Sequence, residues 1–222
     1  MPACSRGEVK KIFGASLKRL GLSYIYGYLI HNFPDYKKDQ GIWDELRELR
    51  KEGAVKKIGF SLYYPAEARF LLDNGADFDL IQFPFSALDQ RFGPCLPMLK
   101  NKAVEIYTRS VFLQGLVFRD PAGLKGRFTA AAEKIARLKG MAASAGMPVP
   151  ALCLNFVAAN KLVDKVVVGV DNLAQFRELI SAEKNAGQAL PAGHELAQLA
   201  LDDEKIIVPV NWGKGELSLC AK

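Results

Sequence analysis

The chain of 222 residues contains only two histidines, His31 and His194, and four cysteines that lie far apart in the sequence. Metal sites built from cysteine and histidine need pairs of ligands a few residues apart, so no metal site is predicted. Widely separated cysteines fit free thiols in a reducing compartment, and a cytoplasmic location is therefore expected. The cysteines are Cys4, Cys95, Cys153 and Cys220.

Several other signals are missing from the sequence. No run of about 18 apolar residues is present, so no membrane-spanning helix is predicted, and the first fifteen residues have no apolar signal core. Neither a P-loop nor a G-x-S-x-G motif occurs. The net charge of +6 comes mainly from residues up to Phe70, with 13 Lys and Arg against 8 Asp and Glu. Because acidic residues are mixed among them without interleaved aromatics, these charges predict a solvated surface and no nucleic-acid partner.

The pattern of hydrophobic residues indicates an α/β fold. Half of the residues are hydrophobic, which is enough for the core of one domain over residues 1–222. Strands that alternate with helices favour parallel βαβ units. The predicted strands lie at 24–30, 54–60, 78–85, 103–108 and 163–168. The predicted helices lie at 8–21, 42–52, 65–74, 129–144, 151–160, 173–182 and 194–200, and a polar loop is predicted at 34–40.

His31 directly follows the first of these strands, the run from Tyr24 to Ile30. A nearly continuous apolar run predicts a strand that is covered on both faces in a parallel sheet. The C-terminal ends of such strands are where parallel α/β folds place their chemistry. From its position alone, His31 is either a hydrogen-bonded rim residue or a catalytic group.

The segment around His31 carries a resemblance to a known family. Ser16-Leu-Lys-Arg-Leu-Gly21, which leads into Tyr28-Leu-Ile-His31, resembles the S-L-x-x-L-G and L-I-H signatures of the aldo-keto reductases. The resemblance extends over nearly all of the chain. It implies a (β/α)8 barrel that carries out NAD(P)-linked reduction of a small carbonyl substrate, with His31 as the active-site histidine. Five predicted strands would correspond to strands four to eight, a partial barrel truncated at its N-terminus.

Three further segments are similar to the cofactor-binding motifs of the family. Lys57-Ile-Gly-Phe-Ser61 and Ile81-Gln82 resemble the segments whose Ser and Gln hold the nicotinamide, although Leu62 stands in place of an Asn. Arg109-Ser110 opens a stretch similar to the loop that wraps the pyrophosphate. Gly169 and Gln175 lie near the positions where NADP-specific members keep a Lys and an Arg. The implied cofactor-binding residues are Ser61, Gln82, Arg109, Ser110, Gly169 and Gln175.

These motifs leave some alternatives open. Without the resemblance, Gln82 could equally satisfy backbone groups in the mouth of a barrel. The implied cofactor is NAD or NADP, and because the clamp for the 2′-phosphate has no match, an NADP preference is not expected. Backbone N–H groups at the start of the last predicted helix could still receive an anion.

The catalytic set implied by the resemblance is incomplete. The proton-donating Tyr of the family, its supporting Lys and its orienting Asp have no match in residues 1–20. The chain alone is therefore expected to be inactive, with cofactor affinity surviving in part or lost. The open edges of a partial barrel predict self-association or a protein partner. Two alternatives are a non-catalytic scaffold or accessory subunit, and a free-standing five-stranded α/β domain that binds a nucleotide.

Overall fold

The structure is a computed structural model that describes residues 5–184 and 190–213, with the backbone alone at 183–184. The described residues divide into two compact units. The first lies within Met1–Phe83 and Cys95–Tyr107, and the second within Pro84–Pro94 and Thr108–Lys222. The expectation of one domain over residues 1–222 stays a prediction.

Strands and helices alternate along the chain. The strands are β1 (Ile25–Ile30), β2 (Val55–Ser61), β3 (Leu80–Pro84), β4 (Glu105–Arg109) and β5 (Lys165–Val166). The helices are α1 (Val9–Leu20), α2 (Phe33–Lys38), α3 (Gly41–Lys51), α4 (Pro65–Asp73), α5 (Leu96–Asn101), α6 (Ala132–Ser144), α7 (Val149–Ala158), α8 (Leu173–Lys184), α9 (Gly193–Ala197) and α10 (Glu204–Ile207). Short 3-10 segments lie at Arg6–Glu8, Gly93–Cys95, Leu113–Phe118, Pro121–Gly123, Gly126–Ala131 and Pro209–Asn211.

The five strands form one parallel sheet in the order β1-β2-β3-β4-β5. The predicted α/β class and the count of five strands are confirmed. In the register of the first three strands, Ile30 lies beside Phe60, and Ser61 lies beside Gln82. Parallel strands place their C-terminal ends at the same edge of a sheet. The register therefore brings the end of β1 close to the end of β2, while β3 continues two residues past Gln82.

Gly59 allows β2 and β3 to approach closely. It pairs with Leu80, and a Cβ atom at position 59 would overlap the backbone carbonyl of Leu80. Glycine, which has no Cβ, is the residue that fits such a close approach.

The end of α1 follows the predicted glycine stop. Gly21 has φ 64° and its N–H donates to the carbonyl oxygens of Leu17 and Lys18. The N–H of Leu22 donates to Leu17 at 3.2 Å, which completes a left-handed C-terminal cap. The cap turns the chain from α1 into β1.

Phe60 is the centre of an aromatic cluster in the first unit. Its side chain is fully buried, and its ring stacks on Trp43 with a centroid distance of 4.6 Å. Tyr36 and Phe33 of α2 lie at 4.9 and 6.2 Å from it, and Phe78 lies at 5.8 Å. These contacts fasten α2 and α3 to β2.

The buried carboxylate of Asp89 and the half-buried guanidinium of Arg91 fix residues 84–94 within the second unit. The carboxylate of Asp89, which is only 1% exposed, accepts hydrogen bonds from Nε and Nη2 of Arg91 at 2.8 and 2.9 Å. Nη1 of Arg91 lies 3.0 Å from Glu204 in α10. The guanidinium therefore ties this segment to α10 through a fork of charge-assisted hydrogen bonds.

Three sequence predictions are wrong in detail. The loop predicted at 34–40 is largely the helix α2, because Pro34 fits the first turn of a helix and Phe33 and Tyr36 are buried against the cluster. The strand predicted at 163–168 is reduced to the two residues of β5. The strand β1 is not covered on both faces, since it lies at the sheet edge and Tyr26 is 44% exposed.

Within residues 5–184 and 190–213, no single helix is long and apolar enough to cross a membrane. The segments Gly126–Ser144 and Val149–Ala158 together have the length and composition of a span, but they are bent by 93°.

Replacing Phe60 with alanine tests the role of the aromatic cluster. We expect Phe60→Ala to lower the free energy of unfolding by about 3–5 kcal/mol, because it removes a fully buried ring and leaves a cavity. The matched control is Phe176→Ala, at a ring that is 49% exposed, which should change stability by less than about 0.5 kcal/mol. Urea unfolding followed by circular dichroism measures both, and equal effects would contradict the cluster as the anchor of α2 and α3.

Candidate functional site

His31 lies at the C-terminal end of β1. It is exposed, and its imidazole meets the ring of Tyr63 edge to face, with centroids 6.0 Å apart and planes at 81°. Ile30 pairs with Phe60, so the residues that directly follow these two in the sequence, His31 and Ser61, leave adjacent positions of the sheet. The structure therefore has His31 at the predicted rim position.

Ser61, the last residue of β2, forms a hydrogen-bonded pair with Gln82 in the middle of β3. The hydroxyl of Ser61 donates to Oε1 of Gln82 at 3.2 Å, and Ser61 is only 3% exposed. The N–H of Leu62 donates to the backbone oxygen of Gln82 at 2.7 Å. The structure thus brings together two of the residues predicted to hold a carboxamide, which needs both donors and acceptors.

The side chain of Leu62 has no polar group to offer this site. It is fully buried in the first unit. It therefore cannot make the contact that the resemblance implies for an Asn at this position.

Arg109 and Ser110 lie together in the second unit, where β4 ends. Nη1 of Arg109 donates to the hydroxyl of Ser110 at 3.3 Å, and the backbone oxygen of Arg109 accepts from Phe85 at 3.1 Å. Both side chains are half-buried. A guanidinium in this position can pair with a phosphate or stack on a planar ring.

The segment after Ser110 has an unusual backbone. Ser110, Leu113 and Gln114 all have positive φ values, of 62°, 46° and 53°, although none of them is glycine. The left-handed conformation costs a non-glycine residue about 1–2 kcal/mol. Leu113 is buried, and its N–H donates to Ser110 at 2.9 Å, so packing and hydrogen bonds hold this conformation. Strained backbone of this kind clusters at ligand-binding segments.

Gln175 caps the N-terminus of α8. Its Oε1 accepts from the N–H of Asp171 at 2.8 Å, and its own N–H donates to Oδ1 of Asn172 at 2.9 Å. The second bond is the N-cap bond of Asn172, and the first differs from a capping box because Gln175 accepts from the residue before the N-cap. Gly169 is exposed, with open space where a Cβ would lie. The structure places Gln175 in the cap, and its binding of a cofactor stays a prediction.

Two residues that were not predicted as site residues, Tyr63 and Glu67, lie close to His31 and Ser61 along the chain or in space. Tyr63 contacts His31, and Glu67 accepts hydrogen bonds from the backbone N–H groups of Tyr63 and Tyr64. The sequence carries only half of a capping-box signature for Glu67, because Tyr64 stands where the signature has Ser or Thr. Tyr63 carries no such signal.

The cysteines of the described residues are unsuited to nucleophilic chemistry. Burial raises the pKa of the Cys153 thiol to about 12, and burial also raises the pKa of Cys95. A thiol attacks as its thiolate, so neither group reacts readily at neutral pH. Within the same described ranges, no group of three or more His, Cys, Asp or Glu residues could hold a metal ion.

Comparison with known proteins identifies the family. The model of the Aldo/keto reductase family matches residues 1–187, and the chain belongs to that family. A D-threo-aldose 1-dehydrogenase from a Pseudomonas species is 27% identical over 206 residues, covering 87% of this chain. An L-galactose dehydrogenase from Arabidopsis thaliana is 27% identical over 217 residues, covering 91% of this chain. The chain spans 62% and 63% of the length of these two relatives.

Solved structures share the fold. The holo form of the aldo-keto reductase AKR11C1 from Bacillus halodurans gives a TM-score of 0.74 at 21% identity, over 89% of this chain and 68% of that one. The apo form of Gox0644 gives 0.70 at 16% identity, over 96% and 72%. The predicted family is confirmed, and the five-stranded parallel sheet matches that of these barrel proteins.

The left-handed residue Gln114 offers a test of the strained segment. Because its side chain is exposed, Gln114→Gly removes the steric cost of φ 53° without disturbing packing. We expect the free energy of unfolding to rise by up to about 1 kcal/mol.

The control for this change is Gln198→Gly in the same unit, at an exposed residue with φ −71°. There the substitution adds freedom to the unfolded chain without relieving strain, so stability should fall. Urea unfolding of both variants is the measurement, and a loss of stability in both would show that the segment is unstrained.

Proposed function

We propose that this chain is an aldo-keto reductase segment whose parent activity is the NAD(P)-linked reduction of a carbonyl to an alcohol. The observation that carries the proposal is the Ser61–Gln82 pair between the end of β2 and the middle of β3, next to an exposed His31. A carboxamide and a small carbonyl group are the kind of polar, uncharged groups that such side chains orient.

His31 would orient the substrate. A neutral imidazole can donate one hydrogen bond to a carbonyl oxygen and so stabilise the charge that develops there during hydride transfer. The exposure of the ring at the end of β1 leaves it accessible to a small molecule.

Each unit carries residues that are proposed to bind the cofactor. In the first unit, Ser61 and Gln82 would bind a nicotinamide carboxamide. In the second unit, Arg109 and Ser110 would bind a pyrophosphate. Gly169 would leave room for the nucleotide. The side-chain oxygen of Gln175 accepts a capping hydrogen bond, so a role in cofactor binding would be through its side-chain amide N–H groups, its backbone or the cap of α8.

We further propose that the chain corresponds to strands four to eight of the family's barrel. This is supported by its five sequential parallel strands and by its coverage of 62% and 63% of two relatives. The Tyr, Lys and Asp of the family would then lie outside the matching segments, and hydride transfer would lack its proton donor. The chain alone would bind nucleotide weakly and turn over no substrate. A cytoplasmic location remains part of this proposal.

A second candidate function is that of a non-catalytic scaffold or accessory subunit. It is favoured by an exposed apolar stripe on α8, where Leu173, Phe176 and Ile180 recur at helical spacing and are 59%, 49% and 39% exposed. Contiguous exposed apolar surface of this kind marks interaction sites. In this reading, the stripe would bind a protein partner or a second copy of the chain.

Titration with NADH and NADPH tests the proposed function. We expect saturable binding followed by nucleotide fluorescence, with mass in solution measured in parallel to detect self-association. Gln82→Leu should weaken NADH binding about tenfold, because it removes a hydrogen-bonding group worth about 1.4 kcal/mol.

The matched control is Gln198→Leu, at an exposed glutamine of the second unit, which should bind NADH as the unchanged chain does. A folded chain that binds neither nucleotide would overturn the cofactor assignment and leave the scaffold as the better account.

A further inference from the structure

His31 contacts Tyr63, a residue that belongs to none of the segments similar to the family motifs. The two rings belong to the same unit and meet edge to face at 6.0 Å, a geometry that aromatic pairs favour. His31 is exposed at the end of a strand, where an imidazole has several side-chain orientations available. A neighbouring ring that packs against it restricts that choice.

The backbone that carries Tyr63 is fixed from both sides. On one side, Leu62 is fully buried and donates its N–H to Gln82 at 2.7 Å. On the other side, Oε2 of Glu67 accepts from the N–H groups of Tyr63 and Tyr64 at 2.8 and 3.0 Å. Hydrogen bonds to a carboxylate are stronger than those between neutral groups.

The position of Glu67 adds to this effect. It lies in the first turn of α4, where the partial positive charge of a helix N-terminus favours a carboxylate. Glu67 is half-buried, so solvent competes less for its oxygens. The turn between β2 and α4 is therefore held in one conformation, and the ring of Tyr63 with it.

We propose that Tyr63 is a positioning residue for His31, and that Glu67 holds Tyr63 in place. The proposal rests on the proposed function, in which His31 orients a carbonyl. The contact that carries the proposal is the one between the two rings. Loss of an edge-to-face pair of this kind is expected to reduce the population of the held orientation about two- to tenfold.

Proton NMR of the imidazoles tests the proposal without requiring activity. The chain has only two histidines, so two sets of imidazole signals are expected, and His31→Gln identifies the signal of His31. In Tyr63→Leu, the signal of His31 should move, because the ring current of Tyr63 is lost, and should broaden or split as the imidazole samples other orientations. The signal of His194 should stay in place.

Two further variants make the test specific. Tyr63→Phe keeps the ring and should restore the position and width of the His31 signal. Tyr24→Leu is the matched control, the same change at an exposed tyrosine that precedes β1, at the other end of that strand from His31, and should leave the His31 signal unchanged. Glu67→Gln should give an intermediate effect, and it serves as the second variant if Tyr63→Leu does not fold.

The outcomes separate this proposal from the proposed function. An unchanged width of the His31 signal in Tyr63→Leu, or equal effects of Phe and Leu at position 63, would overturn the positioning role. Repeating the spectra with saturating NADH asks a separate question. If NADH moves no signal and does not bind, the proposed function fails, while the first comparison still decides whether Tyr63 positions His31.

Discussion

The alternation of side chains along β2 is the constraint on which the candidate site depends. Successive residues of a strand point to opposite faces of the sheet. Since Phe60 is buried against the rings of α2 and α3, Ser61 must face the other side. The parallel register with β3 then places Ser61 beside Gln82. The packing of an apolar core on one face of the sheet thus sets the position of a polar pair on the other.

Much of this arrangement could be predicted from the sequence, because local signals carry it. The glycine stop after α1, the five apolar strands and their alternation with helices all follow from composition and periodicity. Ser61 ends an apolar run and Gln82 interrupts one, so both could be predicted as site residues, and the resemblance to the family motifs then implied a role for them. Their hydrogen bond to each other required the register, which the sequence does not encode locally.

The parts that could not be predicted depend on tertiary contacts. The helix α2 has only six residues and a polar composition, and it forms because Phe33 and Tyr36 find buried positions around Phe60. Strand β5 is shorter than its β-branched sequence predicts, since strand formation needs a paired neighbour as well as propensity. Tyr63 comes next to His31 only because the pairing of β1 and β2 places the ends of these strands side by side.

Gly59 has a consequence for any attempt to engineer this site. A side chain at this position would overlap the backbone of β3, which is rigid, instead of the movable tip of a side chain. In a randomised library that covers β2, position 59 should therefore tolerate glycine alone, while its buried neighbours Ile58 and Phe60 should accept apolar replacements of similar volume. The absence of a Cβ atom at position 59 thus sets the spacing between β2 and β3. That spacing in turn sets the distance between the hydroxyl of Ser61 and the amide of Gln82.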